Sequence, residues 1–341
     1  MHIFEYSGIT ENIPTDIAET IAKIESLRAM DRIRENVYAK ELVKAREMCR
    51  MTSAASSCSM EWLDAEKNGT LVEGYLNAMD GLRSGSIPVD LSETSLLSLH
   101  STLMNGSTRK DSRFRLRDSD QDRHDIHVSS IRSIPAQNIR SCVEQMATSY
   151  IMARDVGVQA ILLAPSMVLD VLNIRPFPEG NWRMSRLILT RLLINGGYDG
   201  LEISSLERMM EISSEDYYDA VAESSSGWNG NESDPYPFIR FITDMVLECY
   251  EEVSARYPLD LGRKVKKGER IARIIEWSDE PLSKTDICNL LPDVSRRTAD
   301  VVLSKLIEEG RIQKTGSYRD ARYIPTEYNK GAEAPGFDNQ N

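Results

Sequence analysis

A short stretch near the middle of the chain has the residue types that bind phosphate. Residues 174–186 read IRPFPEGNWRMSR, a break that contains Gly180, followed by a helical pattern with Arg183 and Arg186 at its third and sixth positions. Unpaired backbone N–H groups at the start of a helix, beside two cations, favour an anionic ligand. Glu179 at the edge of this corner is suited to a magnesium ion that bridges the phosphates of a nucleotide. The pattern indicates a phosphate-binding corner.

A purely structural explanation of the same residues stays open. Arginines at a helix N-terminus also pair with acidic neighbours, and such a network can hold helices together without a ligand. Spacing alone favours neither explanation over the other.

Two apolar helical patterns flank the corner and would hold it in place. Gln159 to Asn173 is apolar on most sides, which predicts a buried central helix, and a second helix is expected from about Asn181 to Ile194. Strand patterns are almost absent before residue 257, so the first three quarters of the chain are predicted to be all-α. Helical spacing covers residues 16–50, 91–104, 135–155, 204–225 and 237–256 as well.

The last quarter of the chain has a different pattern. A basic linker, residues 257–268, precedes helical segments at 269–277, after Ser283 and from Ser295 to Gly310, and then two short strand patterns at 311–314 and 321–324. This order predicts a winged helix-turn-helix. Residues 261–326 hold 14 Lys and Arg against 10 Asp and Glu, hence +4, which leaves −16 for the rest of a chain whose net charge is −12. DNA binding and protein docking both stay open for this part.

Length and composition exclude several classes of protein. With 341 residues, two or three packed units are expected, and 41% apolar and 28% charged residues argue against a disordered, collagen-like or membrane-spanning chain. The N-terminus lacks the pattern of a secretory leader. Five scattered cysteines without a Cys-x-x-Cys spacing suggest neither disulfides nor structural zinc. We therefore expect a cytoplasmic protein without a membrane partner, and a homodimer is left open.

The stretch 174–186 resembles the signature of the Fic (Fido) family of protein adenylyltransferases, His-Pro-Phe-x-(Asp/Glu)-Gly-Asn-Gly-Arg-x-x-Arg. Ten of the twelve positions agree when the wildcards are counted, and the likeness continues at residues 217–221, 227–228 and 235–241. A winged helix is a common C-terminal companion in this family. The resemblance implies a mainly α Fic fold with a small β-hairpin flap, over roughly residues 50–325.

The resemblance assigns the functional roles of the family's motif residues to the matching positions of this chain. ATP and Mg²⁺ are the implied ligands, with the ion on Glu179 and the α- and β-phosphates beside Gly180 and Asn181. Arg183 and Arg186 would reach the distal phosphates. The other implied roles are the adenosine end for Tyr217 and Tyr218, and docking of a target side chain for Phe114 and Arg115 on the flap. The flap falls within residues 107–130, where two short stretches, 114–117 and 126–128, predict a hairpin.

Two motif positions depart from the family. Arg175 replaces the histidine that takes the proton of the target hydroxyl, and arginine has no acceptor and stays protonated. Trp182 replaces a glycine at a turn where backbone approaches phosphate. An indole there either fills part of the nucleotide pocket or points away from it, and the sequence leaves both open.

A third feature lies upstream. Class II members of the family carry an inhibitory helix with the pattern (Ser/Thr)-x-x-x-Glu-(Gly/Asn), and residues 57–62, SCSMEW, resemble it. The resemblance makes Glu61 the inhibitory residue and predicts an ion pair with Arg186 across the pocket. The alternative, an exposed glutamate on a polar helix, stays open.

These observations define one prediction for the chain. We expect an N-terminal helical region (1–90), a Fido domain (91–256), a basic linker (257–268), a winged helix (269–325) and a disordered tail (326–341). The implied activity is transfer of AMP from ATP to a protein hydroxyl, impaired by Arg175 and Trp182. The alternatives are a non-catalytic nucleotide-sensing or DNA-binding regulator on a Fic scaffold, and a site repurposed for another phosphate donor.

Overall fold

The structure is a computed structural model, which describes residues 4–61, 65–104, 112–118, 133–261, 263–278, 280–316 and 321–326. The chain is mainly α-helical, as predicted. Its α-helices are α1 (Thr15–Arg28), α2 (Asp31–Ser59), α3 (Ala65–Ser84), α4 (Glu93–Leu103), α5 (Ile139–Asp155), α6 (Ala160–Ile174), α7 (Asn181–Asn195), α8 (Leu206–Ile212), α9 (Ser214–Ser225), α10 (Tyr236–Arg256), α11 (Lys267–Trp277), α12 (Lys284–Leu290) and α13 (Arg296–Glu308). The strands within these described ranges are short: β1 (Leu259–Asp260), β2 (Arg263–Lys264), β3 (Leu282–Ser283), β4 (Ile312–Thr315) and β5 (Arg322–Pro325).

The chain divides into two compact units. The first comprises Met1–Ala29 and Cys49–Tyr250, and the second comprises Met30–Met48 and Glu251–Asn341. The first part of α2 thus belongs to the same unit as the C-terminal helices. Tyr38 links them, because its hydroxyl donates to the carbonyl of Pro258 and accepts from the backbone N–H of Val265 at 2.9 Å.

The first unit is built around α6 and α7, which pack along each other. Every residue of α6 after Ala160 is buried, as the predicted central helix requires. Such a helix is stabilised by the burial of apolar side chains on all its faces, since burial contributes roughly 25 cal/mol per Å² of apolar surface. The helix pair therefore forms a rigid base for the loop that joins it.

The second unit has its own core, formed by α11, α12, α13 and the sheet. The strands run in the order β3-β5-β4, with Lys314 of β4 opposite Tyr323 of β5. Ser283 starts α12 with a reciprocal capping box to Asp286, and Ser295 caps α13, both as predicted. The elements follow one another in the predicted order of three helices and a hairpin. Two short pairings were not indicated by the sequence: β3 with β5, and β1 with β2 in the linker.

Two predicted elements differ in the structure. The helix expected over residues 204–225 is interrupted at Ser213, whose φ of −105° and ψ of 40° are not helical, and it forms α8 and α9. Residues 114–117, expected as one arm of the flap hairpin, are not a strand, because the N–H of Arg115 donates to the carbonyl of Pro176. The other arm, residues 126–128, and residues 327–341 of the predicted tail lie outside the described residues.

Candidate phosphate-binding corner

The loop between α6 and α7 reverses direction through two left-handed residues. Arg175 ends α6 with φ 46°, and Gly180 precedes α7 with φ 77°. A side chain at Gly180 would meet Met104 Sδ at 2.8 Å from its Cβ, so both conformation and space call for glycine. Asn181 closes the loop: its Oδ1 accepts from the N–H of Phe177 at 3.1 Å and its Nδ2 donates to the carbonyl of Phe177 at 2.8 Å. The amide of Asn181 therefore shapes the loop itself.

Both motif arginines are buried beside Glu61. Nη2 of Arg186 lies 3.1 Å from Oε1 of Glu61, and Nε of Arg183 lies 3.4 Å from Oε2 of the same carboxylate. Arg186 also donates from Nε to Oγ of Ser57 at 2.9 Å and from Nη2 to the Ser57 carbonyl at 2.7 Å. The ion pair predicted between Glu61 and Arg186 is thus present, and the glutamate is not an exposed residue of a polar helix.

Some buried polar atoms of this corner have no hydrogen-bond partner within the described part of the chain. Nη1 of Arg183 and Nη1 of Arg186 are among them. An unsatisfied buried donor costs about 1–3 kcal/mol, and more when it is charged. Burial also raises the pKa of Tyr217, although Arg186 opposes the rise, so this hydroxyl keeps its proton. The corner consequently has more donors than its own acceptors can use, which suits an anion.

Trp182 packs on the pair of tyrosines that the resemblance assigned to the adenosine end. Its ring lies 5.9 Å from that of Tyr217 and 5.2 Å from that of Tyr218, both edge-to-face, and the side chain is buried. Such aromatic pairs contribute about 0.5–1.5 kcal/mol beyond their burial. The indole is thus directed onto the two tyrosines and covers part of their surface.

Arg175 turns back onto the helix that it follows. The side chain is buried and its Nε donates to the carbonyl of Leu172 at 3.2 Å, close to the C-terminus of α6. A cation is stabilised there by the negative end of the helix dipole. Arginine at this position therefore caps a helix and supplies no proton acceptor.

Glu179 is the acidic residue of the loop. Its side chain is partly exposed, and its backbone carbonyl faces His100. Within the described residues, no three His, Cys, Asp or Glu side chains are grouped as a metal site. Mg²⁺ typically uses one or two carboxylates together with substrate phosphates. One carboxylate therefore fits a nucleotide-bound magnesium ion, with most ligands supplied by phosphate and water.

His100 lies directly beneath the loop. Its ring stacks on Phe177 with 3.8 Å between centroids and 2° between planes. Nε2 lies 3.0 Å from the carbonyl of Glu179 and Nδ1 lies 2.8 Å from Oγ of Ser112. Burial is the main cause that lowers the pKa of His100 to about 4. His100 is therefore a packed, hydrogen-bonded histidine beneath the loop, a position that the sequence analysis did not indicate.

The flap residues assigned to target docking have inward-facing side chains. Phe114 is buried edge-to-face against Phe177 at 5.3 Å, and Arg115 is only 2% exposed. Nε of Arg115 donates to the carbonyl of Arg175 at 2.9 Å, and its Nη2 donates to the carbonyls of Ile134 and Ile174. Neither side chain reaches a target in this arrangement. Both instead hold the beginning of the loop in place.

Comparison with known proteins agrees with this architecture. Residues 90–193 match the Fic/DOC family. A region of 111 residues is 30% identical to the protein named Protein adenylyltransferase Fic in Drosophila sechellia, D. simulans and D. melanogaster. The aligned region covers 30% of this chain and 20% of each fly protein. The match thus spans about a fifth of the length of these relatives.

Solved structures show the same fold. A Fic family protein from Desulfovibrio desulfuricans superposes with a TM-score of 0.59 at 19% identity, over 93% of this chain and 97% of that one. A Fic domain containing signaling protein from Bacteroides thetaiotaomicron gives 0.56 at 12% identity, over 74% and 100%. Fic-1 from Caenorhabditis elegans gives a TM-score of 0.54 at 14% identity, over 69% of this chain and 71% of that one.

Among the described residues, no helix has both the length and the apolar character needed to cross a membrane.

Proposed function

Because residues 90–193 of this chain form a Fic domain, we propose that the protein binds ATP with magnesium at the corner between α6 and α7, and that its transfer of AMP to other proteins is impaired. The observation that carries the proposal is the pair of buried arginines, Arg183 and Arg186, whose Nη1 atoms make no hydrogen bond within the described residues. These donors match the oxygens of a polyphosphate.

Each part of the corner has a task in this proposal. Arg183 and Arg186 bind the distal phosphates, and the first N–H groups of α7, released after the left-handed Gly180, face the α- and β-phosphates. Glu179 would hold the magnesium ion, which supplies neutralisation of phosphate charge. Tyr217 and Tyr218 would lie at the adenosine end, where Trp182 reduces the surface open to the base.

Impairment follows from the side chain at position 175. A positioned general base contributes about 10²- to 10⁴-fold in rate. Arg175 cannot accept the proton of an incoming hydroxyl, and its Nε is engaged with the carbonyl of Leu172. The hydroxyl of a target protein would therefore have to lose its proton to water. Transfer of AMP to that hydroxyl is then slow even with ATP bound.

Glu61 limits access to the same corner. Its carboxylate contacts both arginines, so a triphosphate must displace it before it can bind. We propose that the arrangement described here is the closed state of the site and that nucleotide binds after the helix segment carrying Glu61 has moved.

Labelled ATP tests the proposed activity directly. Wild-type protein is incubated with ATP, magnesium and candidate protein targets alongside an active Fic relative, and incorporated AMP is measured. We expect transfer to other proteins at least 10²-fold slower than by the relative, the lower bound for a lost base. Equal turnover would overturn the impairment.

A non-catalytic regulator is the alternative function. Arg296 and Arg297 are exposed at the start of α13, where helix-turn-helix proteins contact DNA, and Lys314 is exposed on β4. Against this, Arg322 pairs with Asp286 at 2.9 Å and Arg311 pairs with Glu269 at 2.9 Å, so part of the positive charge is neutralised. Gel shifts of the full chain at low salt test it, and absence of binding removes the DNA hypothesis.

Two further points belong to the proposal. A nucleotide or phosphate donor other than ATP remains an alternative ligand for the same site, because the ring of Trp182 covers part of the proposed adenosine end. A cytoplasmic location is also part of the proposal, and it is consistent with the free thiols of all five cysteines.

A further inference from the structure

The aromatic rings around the phosphate-binding corner are almost completely buried. None of the following residues is more than 9% exposed: His100, Phe114, Phe177, Trp182, Tyr217 and Tyr218. Nucleobases commonly gain affinity for a protein by stacking on an exposed aromatic ring, and every base has a face that can do so. These rings therefore offer a base almost no surface on which to stack.

Other protein rings already cover the aromatic faces. Phe177 stacks on His100 with 3.8 Å between centroids and meets Phe114 edge-to-face at 5.3 Å. The ring of Tyr217 is enclosed by further rings whose centroids lie 5.2 to 6.0 Å away, those of Trp182, Tyr218, Phe238 and Phe241. A base could stack on Tyr217 only by displacing side chains of the core.

The cover provided by Trp182 does not depend on Glu61. The indole joins α7 to α9 through Tyr217 and Tyr218, whereas Glu61 follows the end of α2. Movement of the segment that carries Glu61 would free the hydroxyl of Tyr218, which donates to the carbonyl of Met60 at 2.9 Å. The contacts of the indole would remain, because neither of their two helices carries Glu61. The two tyrosines therefore stay covered in the open state to which a nucleotide would bind.

The phosphate end of the corner has the opposite character. Nη1 of Arg183 and Nη1 of Arg186 are buried, belong to charged groups and make no hydrogen bond within the described residues. Donors of this kind form their strongest hydrogen bonds with anionic oxygens. Recognition at this corner is thus concentrated on the phosphates of a ligand.

We propose that the corner binds a triphosphate group without selecting a base, and that Trp182 is the residue that removes this selectivity. The ligand class is then any nucleoside triphosphate or an inorganic polyphosphate of the same length. This inference rests on the proposed nucleotide site and deepens it, because ATP becomes one member of a class of ligands.

Calorimetry of the full-length Glu61→Gln protein tests the inference with four ligands, each with magnesium: ATP, GTP, UTP and inorganic tripolyphosphate. A base stacked on an aromatic ring contributes roughly 5- to 150-fold in affinity. We expect the three nucleotides to differ from one another by less than about fivefold, and none of them to bind more than about fivefold tighter than tripolyphosphate.

The other results of this titration separate the inference from the function on which it rests. A larger preference for one nucleotide, or for nucleotides over tripolyphosphate, would overturn the inference and leave the nucleotide site intact. Absence of binding heat with all four ligands would overturn both.

Trp182→Gly in the same protein tests the role of the indole. Its removal uncovers the rings of Tyr217 and Tyr218, so ATP should then bind at least about fivefold more tightly than tripolyphosphate. Trp277→Gly, at an exposed tryptophan that ends α11, is the matched control and should leave the ratio of the two affinities unchanged. If circular dichroism shows that Trp182→Gly is unfolded, Trp182→Ala takes its place. An unchanged ratio in a folded Trp182 variant would overturn the assignment of selectivity to this residue.

Discussion

Glu61 contacts both motif arginines with the two oxygens of one carboxylate: Oε1 lies 3.1 Å from Arg186 and Oε2 lies 3.4 Å from Arg183. All three side chains are nearly excluded from solvent, with exposed fractions of 11%, 0% and 4%. A buried pair of this kind is costly to break from one side, because the remaining charges lose their partner. The same geometry makes Glu61 a competitor of any anion that uses these arginines.

Glu61→Gln should raise the affinity for ATP. Removing one negative charge while keeping the shape of the side chain leaves the arginines short of an acceptor, and we expect about a tenfold gain, or about 1.4 kcal/mol. Calorimetry with ATP and magnesium measures the change. Glu35→Gln is the matched control, since Glu35 pairs with Arg46 in the other compact unit. An affinity that stays equal to that of the wild type would show that Glu61 does not compete with nucleotide.

The double variant Arg175→His, Trp182→Gly should restore AMP transfer. Histidine at position 175 supplies a proton acceptor, and glycine at position 182 frees the rings of Tyr217 and Tyr218. We expect transfer to rise by about 10²-fold or more, the contribution of a general base. Each single variant serves as a control and should restore less. Continued absence of transfer by a folded, ATP-binding double variant would contradict the assignment of these two residues as the cause.

Arg115→Ala should destabilise the first unit strongly. Arg115 is buried and donates to the carbonyls of residues 134, 174 and 175, so truncation leaves these acceptors without a donor. We expect a loss of roughly 3 kcal/mol in the free energy of unfolding. Urea unfolding measures it, and Arg113→Ala, at an exposed position two residues earlier, is the control. A loss equal to that of the control would contradict the role of Arg115 as a support of the loop.

The pH dependence of stability should reveal the buried Asp170 of α6. Burial raises its pKa to about 6 despite hydrogen bonds from Tyr6 and Trp228. Because the folded state then holds this proton more tightly than the unfolded state, Asp170 favours folding below pH 4. That contribution is lost as the pH rises to 6. Relative to Asp170→Asn, wild-type stability should fall by on the order of 3 kcal/mol between pH 4 and pH 7. A difference between the two proteins that does not change with pH would contradict the raised pKa.

Local patterns predicted the helices and their ends well. The apolar run of α6, the cap residues Ser283 and Ser295, and the stop near Gly310 all act over a few residues, so the sequence alone indicates them. The motif also located Arg183, Arg186 and Gly180 at the start of one helix. The predicted domain boundaries stay a prediction.

Long-range packing could not be predicted in the same way. The inward turn of Arg115 depends on carbonyls up to 60 residues away along the chain. Trp182 meets Tyr217 and Tyr218 only because α7 and α9 are brought together. The Ser112–His100 contact joins an irregular segment to α4, and neither residue stands in a motif.

Titration of the protein with ATP and magnesium, followed by calorimetry, tests the central claim most directly. The comparison is between Arg186→Ala and Arg191→Ala, both made in the Glu61→Gln protein. Arg191 is partly exposed on the same helix and has Glu202 and Arg83 as its neighbouring charges. We predict that Arg186→Ala weakens binding at least tenfold and that Arg191→Ala leaves it unchanged. Equal affinities in all three folded proteins, or no binding heat in any of them, would contradict a nucleotide site at this corner.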